Sequence, residues 1–222
     1  MGTGKLIVFE GTDGSGKATQ SKLLLERLRA DGVDCMPLTF PRYGEKSAAA
    51  VELYLSGALG AKPDDVNAYA ASTFYAVDRY CSYKQSWGGY YERGGVLIAD
   101  RYTTSNAVHQ ASKLPRAERG AFLDWLFGFE YELLGLPAPT AVFDLDVPTE
   151  LTERMMRRRE AETNTGADIH ERDEAYLRAC REAGEQLAAD YGWRYVDCSR
   201  GGELRTIEDI HEEVYKSVKA LL

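Results

Sequence analysis

The segment Gly-Thr-Asp-Gly-Ser-Gly-Lys at residues 11–17 limits what this chain can fold into more than any other part of its sequence. It follows the apolar run Leu6–Phe9 and precedes leucines at helical spacing over residues 24–28, so the local order is strand, glycine turn and helix. In such a turn, backbone N–H groups converge on phosphate oxygens, the helix N-terminus adds positive potential, and Lys17 adds a mobile charge. The loop therefore predicts a binding site for the phosphates of a nucleoside triphosphate.

One position departs from the usual pattern of a phosphate loop. The pattern places Ser or Thr directly after the lysine, where the hydroxyl ligates Mg²⁺, whereas this chain has Ala18 there and Thr19 one position later. The residues that we expect to hold the triphosphate are Gly11, Thr12, Asp13, Gly14, Ser15, Gly16, Lys17, Ala18 and Thr19.

Five β-like runs alternate with longer stretches of helical periodicity, which predicts one α/β domain over residues 1–222. Most of the intervening stretches are long enough for a helical crossover. The expected topology is therefore a five-stranded parallel sheet flanked by helices, the three-layer fold of phosphate-loop NTPases. In such sheets, ligands bind beyond the carboxyl ends of the strands. The runs are residues 6–10, 35–40, 96–100, 141–146 and 194–198, and apolar residues mark helices over 66–81 and 207–221.

Composition narrows the class of protein further. The formal net charge of −8 argues against a broad binding surface for nucleic acid or anionic lipid, so a local arginine cluster has to capture any anionic ligand. The 4 cysteines are scattered without a C-x-x-C pair, which argues against a zinc site and a disulfide framework. The first strand is reached by Leu6 and no apolar run has the length of a membrane span. We expect a soluble protein of the cytoplasm with no membrane partner.

Two arginines follow strand-like runs at their carboxyl ends. Arg42 comes after Phe40-Pro41, and Arg101 comes after Asp100. Arginines at adjacent strand ends suit bidentate capture of a second phosphate. Either residue alone is as readily interpreted as a surface salt bridge, but the pair beside a phosphate loop favours an acceptor that already carries phosphate.

Tyr75 and Arg79 lie four residues apart on a predicted helix and therefore share a face. A tyrosine ring can stack on a base while the arginine donates hydrogen bonds to the base carbonyls. Taken alone, the pair is better explained as a tyrosine at the edge of the core beside a solvated arginine.

The stretch from Met155 to about residue 172 is poor in apolar residues and contains the triplet Arg157-Arg158-Arg159. A loop of that length is typical of a mobile functional lid. Arg154 and part of the triplet could be the solvated end of a helix. An arginine that closes over the β- and γ-phosphates would accelerate phosphoryl transfer by about 10³ to 10⁵.

These residues resemble the thymidylate kinase family, the phosphate-loop enzymes that phosphorylate dTMP to dTDP. The Asp13-Gly14 pair and the pattern D-R-Y-x-x-S-N that begins at Asp100 are far more specific than the loop itself. The resemblance runs over nearly the whole chain: Phe9–Gln20, Phe40–Arg42, Tyr75–Arg79, Asp100–Tyr102, Ser105-Asn106 and the arginine-rich lid.

The resemblance implies an ATP- and Mg²⁺-dependent kinase, usually a homodimer, whose acceptor part is about residues 41–110 and whose lid is about residues 155–172. Ser15 occupies the position in the phosphate loop where some members carry the catalytic arginine, which implies that the lid supplies it here. The implied catalytic residues are Asp13, Lys17, Arg42, Arg101, Arg157 and Arg159. The implied dTMP-binding residues are Asp13, Arg42, Tyr75, Arg79, Arg101, Ser105, Asn106 and His109, and the implied metal ligands are Asp13 and Asp100.

Two departures from the family pattern have functional consequences. Ala18 cannot offer Mg²⁺ a hydroxyl, and we hypothesise that Asp13, Asp100 or water fills the gap. At the position of His109, members of the family commonly have a tyrosine beside the sugar and the base. This difference bears on how the site distinguishes deoxyribose from ribose. A packed helix residue is the alternative interpretation of His109.

Three alternative functions remain open from the sequence. The nearest is a deoxynucleoside kinase, or a nucleoside monophosphate kinase for dUMP or another pyrimidine, although the paired Arg42 and Arg101 favour a phosphorylated acceptor. A regulatory GTPase predicts an N-K-x-D motif and a D-x-x-G motif downstream of the phosphate loop, and the chain has neither. A catalytically inactive nucleotide-binding module is supported by Ala18 alone.

Overall fold

The computed structural model describes residues 4–152, 155, 169–170 and 173–222. Its five main strands are β1 Lys5–Glu10, β2 Cys35–Thr39, β3 Val96–Asp100, β4 Ala141–Asp146 and β5 Arg194–Asp197. They form one sheet in the order β2-β3-β1-β4-β5, and every neighbouring pair is parallel. The predicted parallel sheet is confirmed, and each predicted run ends within one residue of the observed strand.

Helices flank this sheet. They are α1 Lys17–Ala30, α2 Ala49–Leu55, α3 Ala68–Ser82, α4 Gly88–Glu92, α5 Thr103–Ala111, α6 Arg116–Phe127, α7 Glu174–Asp190 and α8 Ile207–Lys219. Short 3₁₀ turns occur at Lys46–Ala48 and Pro63–Asp65, π-helical turns occur at Tyr83–Trp87 and Gly128–Leu133, and residues 149–152 are helical. A small hairpin of β6 Ser199–Arg200 and β7 Glu203–Leu204 was not predicted.

The central strand β1 is apolar on both faces because both faces are covered. Ile7 and Phe9 pack in a cluster that includes Leu24 and Leu28 of α1. Leu6 and Val8, which point the other way, pack in a second cluster with residues such as Trp87 and Tyr102. A continuous apolar strand is what a parallel sheet between two helical layers requires. This burial holds the carboxyl end of β1, where the glycine loop begins, in a fixed position.

Helix α3 lies where its apolar stripe predicts, but the buried face is a different one. Ala71, Ala76 and Arg79 are buried, whereas Val77 of the predicted stripe is 53% exposed. Small residues on the inner face let helices approach closely, and the buried Asp78 and Arg79 of α3 are paired with other side chains. The closing helix α8 buries Ile210 and other members of its stripe as expected. Within the described ranges, no helix combines the length and the apolar character needed to cross a membrane.

We expect Leu24→Ala to lower the free energy of unfolding by about 2–5 kcal/mol, because it leaves a cavity between α1 and the sheet where Leu24 is fully buried. Urea unfolding followed by circular dichroism measures this. Leu133→Ala is the matched control, since Leu133 is 81% exposed, and it should change stability by no more than about 0.5 kcal/mol. Equal losses in the two variants would contradict the packing described above.

Candidate active site

The glycine loop turns from β1 into α1 with a backbone that favours glycine. Gly11 has φ of 137°, and a Cβ added there would lie 2.6 Å from the Leu145 carbonyl oxygen. Gly16, which precedes α1, has φ of 93°. The Lys17 Nζ donates to the carbonyl oxygens of Gly11 and Thr12 at 2.9 Å each. The lysine charge is therefore held over the loop, at the N-terminus of α1.

Polar atoms inside the loop fit a phosphate ligand. The Ser15 Oγ is buried and has no hydrogen-bond partner among the described residues, and a buried hydroxyl without a partner is uncommon. Burial and the repulsion of Arg101 lower the pKa of Lys17. Ala18 and Thr19 are both exposed at the start of α1, so neither side chain lies inside the loop.

Arg101 joins the phosphate loop to the segment that follows β3. It adopts φ of 68°, in the left-handed region that a residue with a side chain rarely occupies. One terminal nitrogen donates to Asp13 Oδ1 at 2.5 Å, and the other lies 3.3 Å from Ser105 Oγ and 3.1 Å from His109 Nε2. Burial opposes ionisation of Asp13, but Arg101 and Lys17 outweigh it and hold the pKa of this carboxyl well below its usual range. The structure thus brings together Asp13, Lys17, Arg101, Ser105 and His109, all predicted from sequence.

Glu10 is a residue of this group that sequence reasoning missed as a site residue. Its carboxylate is buried and accepts hydrogen bonds from Thr104 Oγ1 at 2.5 Å, Ser105 Oγ at 2.6 Å and the Tyr102 backbone N at 3.3 Å. Burial raises the pKa of Glu10, and burial beside Glu10 raises the pKa of Asp144 to about 7. The sequence did contain a signal for Glu10, because this residue ends the strand that leads into the glycine loop. It fixes the turn that carries Arg101.

Arg79 is buried rather than solvated, and it is held by a second residue that the sequence did not reveal. Its guanidinium donates to Glu130 Oε2 at 2.7 Å and Oε1 at 2.5 Å, and it reaches the Tyr102 carbonyl oxygen at 3.4 Å. Thr103 Oγ1 donates to the same carboxylate at 2.7 Å. Although burial opposes the charged form, Glu130 raises the pKa of Arg79. The interpretation of Arg79 as a solvated residue is therefore wrong.

Arg42 belongs to a second group, at the carboxyl end of β2. Its backbone N donates to Asp78 Oδ2 at 2.8 Å, and its side chain reaches Asp78 Oδ1 at 3.4 Å and Ser47 Oγ at 3.2 Å. Ser47 also donates to Asp78 at 2.6 Å. The Phe40–Pro41 peptide bond, which lies one residue before Arg42, is cis. Asp78 is adjacent in sequence to Arg79, so neighbouring positions of α3 hold Arg42 and carry Arg79.

Two further predicted residues lie on the neighbouring helices α3 and α5. Tyr75 is half-buried and packs edge-on to Tyr54, with ring centroids 6.5 Å apart. Asn106 Nδ2 donates to the Ser72 carbonyl oxygen at 3.2 Å. One turn further along α5, Gln110 was missed: it is buried, and neither its amide nitrogen nor its amide oxygen has a partner among the described residues. A buried amide in that condition suits a polar ligand.

The predicted metal ligands can be tested for fit. No group of three or more His, Cys, Asp or Glu side chains in the described part of the chain is arranged to hold a metal. Mg²⁺ beside nucleotide phosphates needs only one or two carboxylates, with water and phosphate as further ligands. Asp13, ionised beside the loop, and Asp100, at the end of β3, fit that role. The arginines predicted for the lid, Arg154 and residues 157–159, lie outside the described residues, as does most of the lid.

We expect Glu130→Gln to lower the free energy of unfolding by about 3–5 kcal/mol, because the Arg79 charge then lacks a buried partner. Thermal or urea unfolding measures the loss. Glu26→Gln is the control, since Glu26 makes a 4.0 Å pair with Lys22 and is 59% exposed, and it should cost no more than about 1 kcal/mol. A stability of Glu130→Gln equal to the wild type would show that the pair is not structural.

Comparison with known proteins agrees with this geometry. The family model described as thymidylate kinase matches residues 9–214. The chain is 34% identical over 194 residues to the thymidylate kinase of Mycobacterium tuberculosis, covering 85% of this chain and 87% of that protein. It is 32% identical over 222 residues to the thymidylate kinase of Halothermothrix orenii, covering 99% and 98%.

A solved structure has the same fold. The thymidylate kinase of Candida albicans superimposes with a TM-score of 0.72 at 20% identity, covering 98% of this chain and 92% of that one. Together with the family match over most of the sequence, the phosphate loop and the D-R-Y segment lead to one conclusion: the chain belongs to the thymidylate kinase family and is a nucleoside monophosphate kinase.

Proposed function

We propose that this kinase transfers the γ-phosphate of ATP to dTMP in the presence of Mg²⁺, giving dTDP. The observation that carries the assignment is the contact between Arg101 and Asp13 at 2.5 Å. It joins an arginine suited to the acceptor phosphate to the loop suited to the donor. In-line phosphoryl transfer needs alignment and charge neutralisation rather than a covalent intermediate.

The donor side is the loop of residues 11–17. Backbone N–H groups of the loop, the N-terminus of α1 and Lys17 bind the triphosphate, and Ser15 Oγ donates to it. On binding, Lys17 exchanges its two carbonyl acceptors, Gly11 and Thr12, for phosphate oxygens. Mg²⁺, held by Asp13 and Asp100 with water, would neutralise charge on the transferring group.

The acceptor side binds dTMP through separate groups for phosphate and base. Arg42 and Arg101 hold the phosphate, and Asp13 lies toward the 3′-hydroxyl. Tyr75 stacks on thymine. Arg79, Asn106 and Gln110 offer hydrogen-bonding groups to the edge of the base, and a base lacking the matching edge would leave the buried Gln110 amide without a partner.

The lid supplies the catalytic arginine in this proposal. Because the loop has Ser15 where an arginine would otherwise act, Arg157 or Arg159 closes over the β- and γ-phosphates. Closure excludes water and protects ATP from hydrolysis.

The test of function is coupled ADP release with dTMP, dUMP, UMP and thymidine as acceptors. We expect the highest kcat/KM with dTMP and no turnover with thymidine, since thymidine has no phosphate for Arg42 and Arg101. Arg42→Gln should raise the KM for dTMP by about tenfold or more, because charged hydrogen bonds contribute about 1.5–3 kcal/mol, while the KM for ATP changes little.

The control is Arg27→Gln, since Arg27 pairs with Glu212 on the surface at 3.3 Å and should leave both KM values unchanged. Turnover with thymidine alone would overturn the assignment in favour of a nucleoside kinase. Binding of ATP and dTMP without turnover would establish an inactive nucleotide-binding module.

The protein is also proposed to act in the cytoplasm as a homodimer. The observation that supports the homodimer is the apolar stripe on α3, where Phe74 and Cys81 are half-buried and Val77 is 53% exposed. An apolar helix stripe at the surface marks an interaction site, and a second copy of the chain offers the same self-complementary face.

We expect Val77→Arg to convert the dimer into a monomer, because two buried arginines would face each other across a two-fold interface. Sedimentation velocity at micromolar concentration measures the mass. Leu133→Arg, at a position 81% exposed outside α3, should remain dimeric. A wild type that sediments as a monomer, or a Val77→Arg variant that remains a dimer, would refute this interface.

A further inference from the structure

Asp144 is a buried carboxylate of the central sheet that the proposed function does not use. It lies on β4, directly opposite Glu10 in the register of β1 and β4. Since side chains alternate between the two faces of a sheet, residues paired in this way point to the same face. The two carboxylates are therefore neighbours. Both are buried, and only 5% of Asp144 is exposed.

The acidic neighbours of Asp144 have hydrogen-bond donors. Glu10 accepts from the three donors described above. Asp146, two residues further along β4, points to the same face as Asp144. It accepts from two nitrogens of Arg181 at 2.7 Å and 2.9 Å and from Tyr195 Oη at 2.7 Å. Hydrogen bonds to a carboxylate stabilise its charged form.

Asp144 itself differs from both neighbours. No donor in the described part of the chain contacts its carboxyl group. The helices that cover it offer a glycine and a valine: a Cβ added to Gly184 of α7 would lie 3.7 Å and 3.9 Å from the two Asp144 oxygens and 3.9 Å from Val108 of α5. A buried carboxylate that accepts no hydrogen bond is unfavourable in its charged form. A proton added to this group of carboxylates therefore goes to Asp144.

The charges around Asp144 act in the same direction. Burial and the acidic neighbours raise the pKa of Asp144 to about 7, and the charge of Lys17 opposes them. The titratable groups on the elements packed around it are Glu10 of β1, Lys17 of α1, Asp146 of β4, Glu185 and Arg181 of α7, and Tyr195 of β5.

This part of β4 contacts the phosphate loop. A Cβ added to Gly11 would lie 2.6 Å from the carbonyl oxygen of Leu145, the residue after Asp144. Lys17 Nζ donates to the Gly11 carbonyl oxygen at 2.9 Å. The lysine that serves the loop is thus also the cation that stabilises an ionised Asp144.

A bound triphosphate changes the charge that Asp144 faces. A triphosphate remains an anion even with one Mg²⁺ bound, and its oxygens neutralise Lys17. Both changes disfavour the ionised form of Asp144. Molecules in which Asp144 is ionised before binding must therefore take up a proton.

We propose that Asp144 is a proton-binding site coupled to the phosphate loop: it takes up a proton when a nucleoside triphosphate binds and releases it when the nucleotide leaves. The inference rests on the proposed binding of ATP by the loop, and it is independent of the acceptor. A carboxylate oxygen of Asp144 forms an O–H bond with a proton that a buffer acid gives up, and no other bond changes.

Proton uptake can be measured by calorimetry. The probe is the non-hydrolysable ATP analogue AMP-PNP with Mg²⁺, titrated at about pH 7.5 in two buffers of different ionisation enthalpy. We expect the wild type to take up as much as about half a proton more than Asp144→Asn, which cannot titrate. Comparison with this variant removes any proton that the nucleotide itself exchanges. Asp190→Asn, at an exposed position at the end of α7, should match the wild type.

Affinity should depend on pH in the same sense. Since binding takes up a proton, the Kd for AMP-PNP should rise by about three- to tenfold between about pH 6 and pH 8.5. That factor follows from a rise of about one half to one in the pKa of Asp144 on binding. Asp144→Asn should lose this rise, whereas Asp190→Asn should keep it.

The proton itself can be observed by infrared spectroscopy, because the C=O stretch of a protonated carboxyl group is separate from the bands of a carboxylate. We expect a protonated-carboxyl band in the wild type that weakens as the pH passes about 7, strengthens when AMP-PNP is added, and is missing in Asp144→Asn. A band that persists in Asp144→Asn would place the proton on Glu10 and overturn the proposal.

Equal proton uptake by the wild type and Asp144→Asn would also overturn it, as would a wild-type Kd that does not change over this pH range. If Asp144→Asn fails to fold, proton uptake and the infrared band of the wild type still decide. An enzyme that binds AMP-PNP but does not turn over dTMP would refute the proposed function and leave this test intact. An enzyme that binds no nucleotide would refute both.

Discussion

The pair of Arg101 and Asp13 is the interaction on which the site depends. Both side chains are largely shielded from water, at 17% and 22% exposure, so losing one partner would leave a charge with little solvation. The pair joins the turn after β3 to the turn after β1, two adjacent strands of the sheet. Because phosphoryl transfer depends on alignment, a short contact between the proposed donor and acceptor sides would be of direct catalytic use.

Two buried carboxylates support this pair by holding the segment that follows Arg101. Glu10 accepts from Tyr102, Thr104 and Ser105, and Glu130 accepts from Thr103. Every residue of the segment after Arg101 therefore donates a backbone or side-chain hydrogen bond to a carboxylate. That network offsets the unfavourable φ of Arg101, which ordinarily costs of order 1–3 kcal/mol. The hydroxyl-rich sequence at residues 102–105 is explained by the supporting contacts it makes.

Much of the fold could be predicted because it depends on local patterns. The strands β1 and β3 are almost continuously apolar, and the loop and the arginines stand at strand ends, so the sequence alone placed Asp13, Lys17, Arg42 and Arg101 at one edge of the sheet. Glu130 could not be predicted, since it is 51 residues from Arg79 and no pattern links them. His170 was missed for the same reason, since its ring meets the ring of His109 only in the folded chain.

The burial of α3 shows a different limit. An apolar stripe was read along residues 66–81, yet the face toward the interior consists of alanines with Ser72, Asp78 and Arg79. Periodicity cannot separate an apolar stripe that faces the core from one that lies at the surface. It also cannot anticipate that a buried arginine has a carboxylate to pair with. The inner face of α3 is partly polar because it carries Asp78, which holds Arg42, and Arg79, which pairs with Glu130.

The chain has a net charge of −8, and some of its carboxylates position the arginines of the site. Arg101 is held tightly, at 2.5 Å from Asp13, whereas Arg42 makes side-chain contacts of 3.4 Å and 3.2 Å with Asp78 and Ser47. Because the longer contacts are weaker, Arg42 can turn toward a phosphate at little cost. Arg101, in contrast, is held in one direction by Asp13. An anion that binds both must compete with Asp78 for one arginine and share the other with Asp13. A phosphate, with its several oxygens, can satisfy both geometries at once, and this favours an acceptor that already carries phosphate over a neutral nucleoside.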